Sequence, residues 1–134
     1  MTDSKIQAVQ DIYAAFGRGD IPFILGQLAD DVDWASVSET KIAPWHGSWR
    51  GRDQVPGFFQ GLADTADVTE FTPLAFTSND TDVMATVRFG LQVRATGKSA
   101  VTELHHWWRF RDGRVYFYRG TEDTAVVAAL FQTD

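Results

Sequence analysis

The sequence contains no cysteine, which excludes disulfides, thiolate catalysis and cysteine-ligated zinc and leaves the redox compartment open. Basic residues are also scarce: 12 Lys and Arg stand against 18 Asp and Glu, for a formal charge of −6. That balance favours solubility and argues against nucleic acid and anionic membrane surfaces, both of which call for a basic patch. No hydrophobic run approaches the length of a membrane-spanning helix. The first residues, MTDSKIQAVQDIY, have no apolar stretch of the kind found in a signal peptide, so a cytoplasmic protein is expected. No H-E-x-x-H motif, phosphate-binding glycine loop or nucleotide fingerprint occurs, and no cofactor is expected.

Aromatic residues are plentiful by contrast. Five Trp and ten Phe in 134 residues can fill an ordinary core or line a cavity for a flat, apolar ligand. A chain of this length fits one domain. It buries roughly two thirds of the surface exposed by its unfolded form, so no covalent or metal staple is needed.

Helices come first along the chain. Asp3 or Ser4 can cap a helix whose apolar positions Ile6, Val9, Ile12, Tyr13 and Phe16 recur at three and four residues, with Gly17 and Gly19 as its stop. Asp20 can cap a second, short helix that tolerates Pro22 in its first turn. A strand over Val32–Ser38 alternates around Val32 and Trp34. Residues 39–51 read as a loop packed with Trp45, His46 and Trp49, and a third helix carries Val55, Phe58, Phe59 and Leu62 on one face. From about residue 67 the pattern turns to β. Pro73 suggests an edge strand or a bulge, and Val83 to Val93 alternate strictly with polar residues. Strands 100–111 and 114–121 flank an Asp112-Gly113 turn, and Asp123 can cap a last helix. The expectation is an α+β fold: a curved antiparallel sheet with helices on one face and a pocket between the layers.

The segment ELHHWWRFRDGR (103–114) raises the question of a metal site. Adjacent strand residues point to opposite faces, so His105 and His106 cannot share one ion, and no metal is expected. A regular two-residue turn at Asp112-Gly113 pairs Phe110 with Val115, Trp108 with Phe117 and His106 with Arg119. Residues opposite one another share a face. Leu104, His106, Trp108, Phe110, Val115, Phe117 and Arg119 then face the helices, and His105, Trp107, Tyr116, Tyr118 and Glu122 face outward. An arginine beside His106 favours the neutral imidazole. Buried and unpaired, that arginine would need a carboxylate or an anionic ligand. His106 and Arg119 are thus either a catalytic pair or two members of a structural network. Trp34, Trp108, Phe117 and Phe59 are expected pocket wall, and His46 a residue of the pocket mouth. Glu39 is a further carboxylate near the expected rim, able to pair with Arg119, act as base or simply stay solvated.

The segments YAAFGRGDIPFILGQLADDVDW (13–34), PWHGSWRGRDQVPGFF (44–59) and WWRFRDGRVYFYRGTEDTA (107–125), in that order and spacing, resemble the SnoaL-like polyketide cyclase and ketosteroid isomerase group of the NTF2-like superfamily. The resemblance covers almost the whole chain. It implies a cone-shaped fold with the sheet wrapped around the N-terminal helices, a pocket at the open end and a homodimer across the outer sheet face. HWWRF (106–110) resembles the isomerase segment D-H-F-R-F, whose leading acid donates a hydrogen bond to the substrate oxyanion. His106 stands in that acid's place. The isomerase base falls at Ser36, which cannot serve, and its helix-one tyrosine falls near Ile12, with Tyr13 displaced by one and expected to point elsewhere. Standard ketosteroid isomerisation is therefore not expected. The cyclases of the group promote an aldol closure with an acid/base residue and neither metal nor cofactor, work that His106 could do. The resulting expectation is a pocket protein for a small apolar or aromatic ligand, of isomerase or cyclase type; the alternative is a non-catalytic binding or dimerisation module of the same fold.

Overall fold

The computed structural model describes residues 3–133. Three aspartates start helices as their positions suggest. The Asp3 carboxylate accepts the Lys5 N–H at 2.7 Å and caps α1 (Ser4–Gly17). Asp20 accepts from Phe23 N–H at 3.1 Å at the head of α2 (Ile21–Gly26). Asp123 accepts from Val126 N–H at 3.2 Å at the head of α4 (Thr124–Leu130). Each cap satisfies an N–H that has no partner within its helix. The third helix, α3 (Val55–Thr65), has no side-chain cap and is held by the burial of Val55 and Leu62.

Among the described residues six strands form one sheet: β1 (Leu28–Ser36), β2 (Gly47–Arg50), β3 (Ala66–Ser78), β4 (Asp82–Val93), β5 (Ser99–Arg111) and β6 (Arg114–Thr121). Their spatial order is β2-β1-β6-β5-β4-β3. The fold is mixed α+β, with a curved, unclosed sheet and the N-terminal helices on its inner side. Three details depart from the sequence expectation. The β1–β6 ladder is parallel, so the sheet is not wholly antiparallel. Residues 47–50, expected as loop, form the edge strand β2, pairing Trp49 with Trp34. The strand β1 also begins earlier than expected, at Leu28. Pro73 meets both of its readings, since β3 is the other edge strand and its register shifts between Pro73 and Ala75.

The inner face of the sheet and the inward stripes of the helices make the core. Val9, Ile24, Leu28, Val32, Val55, Val83, Val87 and Val115 are fully buried there with Trp34 and Trp108. The strict alternation read in residues 83–93 is the buried face of β4.

The β5–β6 hairpin decides what enters the interior. Its turn is the two-residue turn the sequence announces, with positive φ at Asp112 (52°) and Gly113 (77°). The first pairs are the expected ones, Arg111 with Arg114 and Phe110 with Val115. Then a bulge intervenes: Arg109 pairs with Phe117, so Tyr116 is the extra residue. From there on every side chain of β6 lies on the face opposite to the regular register. Trp108 faces Tyr118, Trp107 faces Arg119 and His106 faces Gly120. The physical reason lies with Arg119. A regular register would bury its guanidinium in an apolar interior. The bulge places it outside, where it holds Asp33 at 3.0 and 3.1 Å.

Candidate active site

Between the sheet and helices α1 and α3 lies a cavity of about 80 Å³. One ordered water needs roughly 10–15 Å³ of such space, so the cavity admits several waters or a small ring. Its wall is mostly aromatic, with Phe16, Phe58, Phe59, Phe71, Trp34 and Trp108 among its members. A few polar groups converge on it: Tyr13, Ser36, His106, Tyr118 and Glu122.

Tyr13 and His106 are linked by a short hydrogen bond of 2.6 Å between the phenol oxygen and Nδ1. The Trp108 Nε1–H donates to the same phenol oxygen at 3.2 Å. The phenol keeps its own O–H while accepting from Trp108; where it gives that O–H to Nδ1, the neutral imidazole carries its proton on Nε2. Burial keeps both groups neutral. It raises the Tyr13 phenol far above its ordinary range, and it lowers His106 to about 3, with the neighbouring His105 adding to the effect. The Nε2–H of His106 has no hydrogen-bond partner among the described residues. The Trp34 Nε1–H is buried without an acceptor among the described residues. An unmet buried donor costs about 1–3 kcal/mol.

Tyr118 stands between these groups. Its ring stacks on Trp34 with centroids 4.0 Å apart and lies 5.2 Å from the His106 ring. Its hydroxyl occupies the space that a side chain at position 120 would fill, and only glycine leaves that space open. Burial raises the Tyr118 phenol well above its usual range, and it too remains a donor.

A second polar assembly stands just past the end of β6. Glu122 Oε1 accepts from His46 Nε2 at 2.5 Å and from Trp45 Nε1–H at 3.2 Å. The Ala43 N–H points at His46 Nδ1 from 3.3 Å, which makes Nδ1 an acceptor and leaves the ring proton on Nε2. Both side chains are almost fully enclosed, at 1% exposure for His46 and 5% for Glu122.

The expected site residues divide accordingly. Trp34, Trp108, Phe59 and His106 line the cavity. Phe117 and Arg119 do not: the bulge puts both on the outer face, where the Arg119 guanidinium lies 4.1 Å from the Phe117 ring centroid. Asp33, rather than Glu39 or a ligand, is the carboxylate that meets Arg119, and Glu39 is exposed. His46 is not in the wall but behind it, holding Glu122. His105 and His106 lie on opposite faces, the first exposed and the second buried. Among the described residues no three side chains of metal-ligating type cluster.

Three cavity groups escape the sequence reading. Tyr13 points inward although displaced by one from the expected position, because a helical stripe is wide enough to take both Ile12 and Tyr13. Tyr118 and Glu122 enter with the bulge. The signal for all of β6 is Gly120, since a glycine inside a strand marks a bulge or a close approach.

A family model described as a SnoaL-like domain matches residues 9–118 of the chain. An NTF2-like protein of unknown function from Burkholderia pseudomallei K96243 has 26% identity and a TM-score of 0.89, covering 98% of this chain and 100% of its own. An NTF2-like protein from Burkholderia thailandensis E264 has 28% identity and a TM-score of 0.87, covering 99% and 100%. TerC, co-crystallized with polyporic acid, has 22% identity and a TM-score of 0.87, covering 98% and 100%; at that identity the likeness is one of fold. No curated protein matches the chain.

Proposed function

The chain belongs to the SnoaL-like domain family, and from that premise we propose that its cavity binds a small apolar or aromatic carbonyl compound and polarises the carbonyl oxygen for isomerase- or cyclase-type chemistry. One observation carries the reading. In a mostly aromatic cavity the Nε1–H of Trp34 is buried without an acceptor among the described residues, and His106, with Nδ1 taken by Tyr13, has Nε2 left to meet a ligand. Preorganised donors of this kind stabilise an oxygen that gains negative charge, because they need no reorientation as the charge develops. The ligand that suits them has one strong acceptor oxygen on a flat hydrocarbon body. TerC, a fold neighbour, is described with polyporic acid, which lends support to a ligand-binding cavity in this fold.

The outer sheet face belongs to the same reading as a homodimer surface. Met84, the ladder partner of Trp107, and Val101 are 45% and 53% exposed there. Sedimentation of the chain as a dimer supports that part, and a monomer removes it.

The binding reading is tested with cyclopentanone against cyclopentane, a body of similar shape without the oxygen, by titration of tryptophan fluorescence. One hydrogen bond to a buried donor is worth about 1–3 kcal/mol, so the ketone should bind roughly 10- to 100-fold more tightly. His106→Phe should erase most of that difference. Equal binding of the two compounds, or a ketone preference that survives in His106→Phe, overturns the reading. Arg119→Ala serves as the control and should leave both affinities unchanged.

A further inference from the structure

The donors described above stabilise an enolate but cannot make one, and Ser36, where the family resemblance puts the base, has no basic group. We propose that Glu122 is the general base of this cavity and that His46 is its positioning residue. The inference rests on the carbonyl-binding reading and adds the group that moves the proton.

Three observations support it. Glu122 is the carboxylate in the cavity wall, and its side chain is 5% exposed. Both of its neighbours, His46 and Trp45, donate to the same oxygen, Oε1. Oε2 has no hydrogen-bond partner among the described residues and is left for a proton. The backbone amide of Ala43 fixes the orientation of this pair from behind, because it occupies His46 Nδ1 and turns the Nε2–H to the carboxylate.

Placement favours the same division of labour. His106 is the ladder partner of Gly120, Glu122 follows one residue past the end of β6, and both line the same cavity. A carbonyl oxygen on His106 Nε2 and the carbon next to that carbonyl can thus meet the two groups from one ligand position. Oε2 takes the proton from that carbon, the C–H electron pair becomes the C=C bond, and the carbonyl π pair moves to the oxygen facing His106. Glu122 then returns the proton to the same or a conjugated carbon, which completes an isomerisation. In a cyclisation the enolate carbon instead attacks a second carbonyl, whose π pair moves to its own oxygen and takes the proton from Glu122.

Deuterium exchange of cyclopentanone in D₂O, followed by loss of its α-proton NMR signals, tests the assignment. The wild-type chain should accelerate exchange over buffer. Glu122→Gln keeps an acceptor for His46 and Trp45 and should bind the ketone as wild type does, yet lose the acceleration by about 100-fold or more. Glu122→Asp, which retains the charge but withdraws it, should fall between the two. His46→Phe should lower the exchange rate about tenfold at unchanged ketone binding, and His46→Gln, which restores an N–H donor, should recover most of it. Absence of ketone binding by the wild type defeats the carbonyl-binding reading itself. Binding without acceleration, or acceleration that persists in Glu122→Gln, defeats only the assignment of the base.

Discussion

Acidification should destabilise this protein through His106 before any aspartate contributes. Burial holds its imidazole down at about 3 in the folded chain, against about 6.5 for an ordinary histidine. A histidine held neutral in this way gives its full stabilisation above the unfolded pKa. As pH falls below that value the unfolded chain takes up a proton that the folded chain refuses, and stability drops towards the folded pKa. The slope approaches about 1.4 kcal/mol per pH unit for one group. Between about pH 6.5 and about pH 4.5 the loss is then roughly 2–3 kcal/mol, a large part of the ~5–15 kcal/mol that holds a domain together. Asp31, Asp33 and Asp82 have lowered pKa values, so their contributions are lost only at lower pH, beneath the ordinary carboxylate value of 3.8. The assay is urea unfolding across that window for wild type and His106→Asn. The asparagine carbonyl can still accept from Tyr13 but does not titrate. The wild type should lose stability by the stated amount relative to the variant. Parallel decline of the two proteins would refute the account, since His105 and His46 are present in both.

Two further substitutions test the packing of the cavity. Tyr13→Phe deprives both the Trp108 Nε1–H and His106 Nδ1 of their partner, and unfolding free energy should fall by about 2–4 kcal/mol, measured by urea denaturation. Gly120→Ala drives a methyl group into the Tyr118 hydroxyl, whose ring is pinned against Trp34; it should cost about 1–3 kcal/mol, and adding Tyr118→Phe should recover part of the loss in a double-mutant cycle.

Where one local feature decides the structure, the sequence is legible. Asp112-Gly113 announces its turn because a two-residue hairpin needs positive φ at both positions, and Asp3, Asp20 and Asp123 announce helices because their side chains reach N–H groups two or three residues ahead. His106 is found as a cavity residue on the same ground: its place on β5 follows from alternation with Trp108 and Leu104. The register of β6 is different. Val115, Phe117 and Tyr118 are all apolar enough to enter a core, so alternation alone does not choose between Phe117 and Tyr118. The choice is made by partners far away in sequence. Trp34 offers a stacking surface to Tyr118, and Asp33, on the other face of β1, offers a carboxylate to Arg119. Neither partner can be assigned before β1 is known to lie beside β6, and that neighbour is reached by a parallel crossover. The role of His46 is hidden for the same reason, since it depends on Glu122 facing inward.

The bulge at Tyr116 therefore sets the charge of the cavity. In a regular hairpin the guanidinium of Arg119 would enter beside His106 and Glu122 would leave, which makes an interior suited to an anion. With one residue inserted, the cation goes to the surface and pairs with Asp33, and a carboxylate takes a place in the cavity wall. His106 adds no positive charge, because it stays neutral down to about pH 3. An enclosed carboxylate without a balancing cation disfavours carboxylate or phosphate ligands, whose repulsion is strong where solvent cannot screen it. Neutral ligands meet no such penalty, and a ketone is neutral until its proton is removed. Negative charge then appears on the ketone oxygen only as it leaves Glu122, so the cavity never has to hold two anions at once.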